Sequence, residues 1–224
     1  PFCTVEPNVG TVGIPDIRLQ KIASLVGPKK VIPAVMEFVD IAGLIPGASR
    51  GEGLGNRFLS HIREVDALAH VIRVFEDENV AHVANKIDPI SDIESIQTEL
   101  ALADLETLER AIERATKRLK TGEKLRSSEI EAYIHAKMLL DQQLKICTSA
   151  LTVEERIQLM PLGLLTLKPV VYIVNTGEGN ASGGQFSKQL FQHDIVEGAE
   201  VIPISANVEE EISRLESNDR ATFL

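Results

Sequence analysis

The sequence predicts an α/β protein with a mostly parallel sheet and crossover helices, interrupted by an α-helical, coiled-coil-like insertion. Three observations predict it. β-Branched apolar runs at 35–39, 67–75, 169–175 and 200–206 alternate with stretches of helical periodicity. Three of those runs stop on a polar residue, Asp40, Asn175 or Ser205, and the carboxyl ends of strands are where an open parallel sheet meets its ligand. Between residues 91 and 165 the strand pattern gives way to apolar residues recurring at alternating threes and fours.

Composition narrows the class. A chain of 224 residues can bury a sizeable core, as one large domain or as a domain with an insertion. The net charge of −10 argues against broad coating of nucleic acid, because neutralising phosphates needs a basic face, although a local basic patch is compatible with it. Cys3 and Cys147 are too far apart in sequence to suggest a disulfide framework or a metal spacing, which fits a reducing compartment. With no apolar run long enough for a bilayer and no signal peptide, the expectation is a cytoplasmic protein without a membrane partner. The opening Pro1-Phe2-Cys3-Thr4 and the ending Arg220 to Leu224 read as cuts in a longer chain.

Taken in order, Pro7-Asn8-Val9-Gly10 reads as a turn and Thr11-Val12-Gly13-Ile14 as a short strand. Asp16 can cap a helix whose apolar face is Ile17, Leu19, Ile22, Ala23 and Leu25, and Gly27-Pro28 stops it. The strand at 35–39 follows, then a glycine-rich loop, then a helix from Asn56 to Glu64 with Phe58, Leu59 and Ile62 on its buried stripe. Residues 67–75 are nearly all apolar, as in a strand covered on both faces. Strand, helix, strand in this order predicts parallel neighbours.

Ser91-Asp92-Ile93-Glu94 offers a capping box for a long helix with a seam of Leu105, Leu108, Ile112, Ala115 and Leu119, and Gly122 is a natural stop. Ser128 to Glu131 offers a second capping box, for a helix with its seam on Ile130, Tyr133, Leu140 and Leu144. Two such helices joined at a glycine turn predict an antiparallel hairpin that projects from the sheet. Thr152-Val153-Glu154-Glu155 starts a third, shorter helix. The resulting division is 1–90 plus 166–224 for the sheet-bearing domain and 91–165 for the insertion.

The chemistry-bearing stretches lie at strand ends. Asp40-Ile41-Ala42-Gly43 is an Asp-x-x-Gly, the form in which nucleotide-hydrolysing domains present a metal carboxylate and a γ-phosphate sensor. Pro46 to Asn56 then packs four glycines. Asn175-Thr176-Gly177-Glu178 stands where a GTPase carries Asn-Lys-x-Asp, and Ser205-Ala206-Asn207 resembles the Ser-Ala-Lys that backs the base. Asn85-Lys86-Ile87-Asp88 matches the guanine motif in letters only. It follows residue 75 too closely for a crossover helix, so it is rejected as the base site.

Pro1 to Asn8, Glu37 to Leu44, Gly51 to Asn56, Gln97 to Leu105 and Leu164 to Pro169 together resemble the Obg-like ATPase (YchF) family, with Gln97 standing where the family motif has asparagine. The resemblance runs nearly end to end. It implies a Ras-like P-loop NTPase domain, Mg²⁺ and ATP as cofactor and nucleotide, and ribosomes or translation factors as partners, in translation or stress response. It also implies an N-terminal phosphate loop and a C-terminal TGS domain outside this sequence; without that loop, little ATPase activity is expected of this stretch alone. By resemblance, Thr4 and Asp40 hold Mg²⁺, Gly43 offers its N–H to the γ-phosphate, and His82 positions the attacking water. His82 is needed because Leu44 stands where Ras-type enzymes place glutamine and has no hydrogen-bonding group. His70, inside a strand, is expected to be a core residue.

Asn175, Thr176, Glu178, Ser205 and Ala206 are the expected base-site residues. Glu178 is a methylene longer than the aspartate that reads guanine, and Thr176 cannot lay a long stem across a base. The expectation is therefore a Mg²⁺-dependent ATPase switch that binds GTP more weakly. The alternative is a binding module with little or no hydrolysis.

Overall fold

The structure is a computed structural model that describes residues 8–41, 54–75, 87–121, 127–143, 148–177 and 198–215, with isolated positions between them. The chain falls into two compact units, 1–43 and 44–224.

In the first unit, β1 (Asn8–Gly13) pairs antiparallel with β2 (Val35–Asp40), with Asn8 opposite Asp40 and Gly13 opposite Val35. Residues 8–10 of the expected turn are thus the start of a strand, and this first strand–helix–strand is not a parallel crossover. Between the strands, α1 (Ile17–Val26) is capped as expected: the Asp16 carboxylate accepts the Arg18 N–H at 2.8 Å. Gly27 ends the helix at φ 58°, a left-handed conformation that suits a residue without Cβ.

In the second unit, α2 (Leu54–Glu64) leads into β3 (Leu68–Arg73), β4 (Val170–Asn175) and β5 (Glu200–Ile204) form the rest of the sheet, and α6 (Ala206–Arg214) follows β5. The three strands lie in the order β3-β4-β5 and are parallel throughout. Ile72, Tyr172, Val174 and Val201 form the sheet core together with Ile93.

The helical segment consists of α3 (Pro89–Lys120), α4 (Ser127–Gln143) and α5 (Val153–Leu159). α3 starts three residues earlier in sequence than a Ser91 box would place it: Asp88 is its N-cap, accepting from the Ser91 N–H, and Pro89 occupies the first turn, where the missing N–H costs nothing. The same contact gives Asp88 of the rejected guanine-like motif a helix-capping task. α5 carries the full capping box, Thr152 N–H to Glu155 and Glu155 N–H back to Thr152.

The buried seam of α3 is Ala101, Leu108, Ala111 and Ala115, packed in one core with Tyr133, Ala136 and Leu140 of α4. The expected Leu105 and Ile112 are only half-buried, and Leu119 is exposed. Small residues on both helices allow close approach, so the larger side chains flank the seam instead of filling it. α3 therefore belongs to two cores, through Ile93 at the sheet and through Ala101 to Ala115 against α4.

Candidate functional site

β4 and β5 end side by side, and their ends are cross-tied. The Asn175 side-chain oxygen accepts the Ala206 N–H at 3.1 Å, across from one strand end to the other. Thr176 extends the ladder, its N–H donating to the Ile204 carbonyl at 2.8 Å and its hydroxyl to the same oxygen at 3.0 Å. The Thr176 side chain is buried as a result. Ser205 is the N-cap of α6, yet its hydroxyl makes no capping bond; it is buried and has no partner among the described residues.

β3 closes the other side of this edge. The Val74 N–H donates to the Asn175 carbonyl at 3.1 Å. The Arg73 guanidinium donates to the Phe75 carbonyl and lies 4.9 Å from the centre of the Phe75 ring. A Cβ on Gly177 would stand 3.5 Å from the Phe75 Cβ, so the ends of β3 and β4 are in van der Waals range of each other.

Asn175, Thr176, Ser205 and Ala206 are thus brought together. Asp40 closes β2 in the first unit and is exposed. Its carboxylate is a hard oxygen donor of the kind that Mg²⁺ takes. Thr4, Gly43, Leu44, His82 and Glu178 lie outside the described residues. Among the described residues no group of three or more His, Cys, Asp or Glu converges, and no helix is long and apolar enough to cross a membrane. His70 stacks on Tyr172 with ring centres 5.6 Å apart, and burial pushes its imidazole below the ordinary range, as suits a core histidine.

Three contacts that organise the site's surroundings were not foreseen from sequence. Asp104 accepts from the Leu165 N–H, the Thr166 N–H and the Thr166 hydroxyl, each at 2.8 Å, and so pins the chain returning from the helices. The Lys168 ammonium caps the end of α2 at the Arg63 and Val65 carbonyls. Gln97 of α3 donates to the Tyr172 hydroxyl at 2.9 Å. A carboxylate on the apolar stripe of a helix is a signal that could have exposed Asp104; nothing local marks the other two.

Comparison with known proteins gives the chain its relatives. A family described as 50S ribosome-binding GTPase matches residues 1–108. Over the whole chain, the protein is 47% identical to the ribosome-binding ATPase YchF of Haemophilus ducreyi and 45% identical to that of Bacillus subtilis.

The chain belongs to the YchF family of Obg-like P-loop NTPases.

A solved member, described as the YchF GTPase of Schizosaccharomyces pombe, matches 99% of the chain with a TM-score of 0.70 at 31% identity, and the match covers 61% of that structure. The chain spans 62% of the length of the two bacterial YchF proteins. The Ras-like α/β fold that the resemblance implies is therefore the fold of the family, with a parallel sheet and the long helix α3 leading into the insertion. The relatives are named as ATPases in the two bacteria and as a GTPase in Schizosaccharomyces pombe.

Proposed function

We propose that the protein is part of a Mg²⁺-dependent nucleoside triphosphatase switch that takes ATP in preference to GTP, and that the base sits at the joined ends of β4 and β5. The observation that carries this reading is the Asn175–Ala206 tie. Guanine O6 needs a donor, and the Ala206 N–H at this edge is committed to Asn175. The Asn175 amide keeps its two N–H donors for N7, and its oxygen keeps a second lone pair for the exocyclic amine of adenine. The Thr176 hydroxyl donates to Ile204, which leaves it no donor for the base. Glu178 lacks the aspartate geometry that pairs with guanine N1 and N2.

In this reading Thr4 and Asp40 hold Mg²⁺, whose bound charge would offset that of the phosphates. Gly43 gives its N–H to the γ-phosphate and His82 orients the attacking water, Leu44 being unable to do so. Residues 1–90 and 166–224 form the nucleotide domain and 91–165 the insertion. The ribosome-binding relatives support the ribosome as the partner that senses the switch. Leu44 also favours a second reading, a nucleotide-binding module that hydrolyses little.

A competition assay on the full-length protein tests the base preference. ATP should displace a fluorescent nucleotide at lower concentration than GTP does. A GTP preference of more than about tenfold, roughly 1.4 kcal/mol, would overturn the proposal. Turnover with Mg²⁺ that is lost in His82→Ala separates the switch from the module.

A further inference from the structure

We propose that α3 is a lever, pivoted at Asp104 and latched to the sheet by the Gln97–Tyr172 hydrogen bond, which carries the state of the base site to the far end of the helical insertion. The inference rests on the nucleotide-switch reading above and adds to it the residues that would transmit the change.

α3 is continuous over 32 residues and reaches about 48 Å at about 1.5 Å per residue. No helix break lies between its sheet end and its far end, so displacement at one end must reach the other. Two of its polar attachments differ in kind. At Asp104 a buried carboxylate takes three donors from Leu165 and Thr166, the segment that leads directly into β4. Charge-assisted bonds in a buried setting are hard to break, and breaking them strands a charge. Gln97 to Tyr172 is a bond between neutral groups, half-buried, and is readily exchanged.

Tyr172 is on β4, the strand that ends at Asn175. Tyr172 and Val174 are both buried in the sheet core with Ile93 of α3, so α3 rests on the face of β4 that carries Tyr172, three residues before Asn175 on the same strand. A shift of β4 when Asn175 engages a base therefore reaches Gln97 directly. Gln97 lies about 10 Å along the axis from Asp104 and Lys120 about 24 Å, taking about 1.5 Å per residue, so movement at the latch is roughly doubled at the tip. The latch also depends on the length of the side chain: the asparagine of the family motif, one methylene shorter, would fall short of the hydroxyl as α3 now lies.

Hydrogen exchange of the full-length protein, with and without Mg²⁺-ATP, tests the lever. ATP affinity is measured first. With ATP bound, amides in 105–120 and 127–140 of the wild type should change exchange rate by at least threefold. Tyr172→Phe and Gln97→Leu, two conservative replacements, should keep ATP affinity within about twofold yet lose more than half of that change. A change that persists in both variants, or no change in a wild type that binds ATP, overturns the lever. Absence of ATP binding by the wild type overturns the nucleotide reading, and the lever falls with it.

Discussion

The carboxylate of Asp104 in α3 holds Thr166 by two hydrogen bonds, one from its N–H and one from its hydroxyl, each at 2.8 Å. With the Leu165 N–H as a third donor, the helix that carries the chain away from the sheet is fastened to the segment that brings it back. Burial pushes the Asp104 carboxyl upward, and the three donors with the nearby Arg63 charge pull it back. Asp104→Asn keeps the volume but turns one acceptor into a donor facing N–H groups. Unfolding by urea should show a loss of about 2–4 kcal/mol. A loss below about 0.5 kcal/mol would mean that the clamp does not hold the return segment.

Tyr133 predicts an alkaline weakness in the helical insertion. Its phenol is buried between α3 and α4, and burial, with the Glu129 carboxylate 3.1 Å away, pushes it up to about 12. A group whose folded pKa is raised gives stability that is complete below its unfolded value, near 10, and is lost as pH rises towards the folded value. Melting temperature should therefore fall between about pH 10 and 12. Burial raises Tyr172 in the same direction, so Tyr133→Phe should flatten the fall without abolishing it. An unchanged pH profile in Tyr133→Phe would contradict this.

Glu155 predicts the opposite dependence at acid pH. The Thr152 N–H, then the His135 side chain, hold its carboxyl below the usual range. Its contribution is present above the ordinary glutamate value and is lost as pH falls through the lowered one. Glu155→Gln should remove that acid-dependent part of the melting curve, and a profile that still falls equally would assign it elsewhere.

Thr176→Val separates the base from the fold. The hydroxyl bonds Ile204 and is buried, so the isosteric change should cost about 0.5–1.5 kcal/mol of stability and leave ATP affinity within about twofold. Loss of ATP binding in a folded Thr176→Val protein would put the hydroxyl at the base after all.

Much of the second unit was legible because its elements are locally consistent. The β-branched runs at β3, β4 and β5, the Thr152 capping box and the strand ends at Asn175 and Ser205 all stand where periodicity and turn chemistry put them. Pairing direction was not legible at β1 and β2, because a strand pattern does not encode which neighbour it meets. The α3 seam was legible at Leu108 and Ala115 and missed at Ala101 and Ala111, because large side chains were weighted over alanines, whereas close helix packing prefers the small residues. Gln97 and Lys168 escaped for a different reason. Long polar side chains act on partners far away in sequence, and their own neighbourhoods carry no sign of it.

The most direct test of the account is calorimetric titration of Mg²⁺-ATP into the full-length protein and its Asn175→Ala variant, with thermal melting as the control for folding. Asn175→Ala removes the purine contact and the tie to Ala206 together. ATP affinity should fall at least tenfold, about 1.4 kcal/mol, in a variant that still melts cooperatively. Equal affinity in the two proteins would contradict a base site at the ends of β4 and β5.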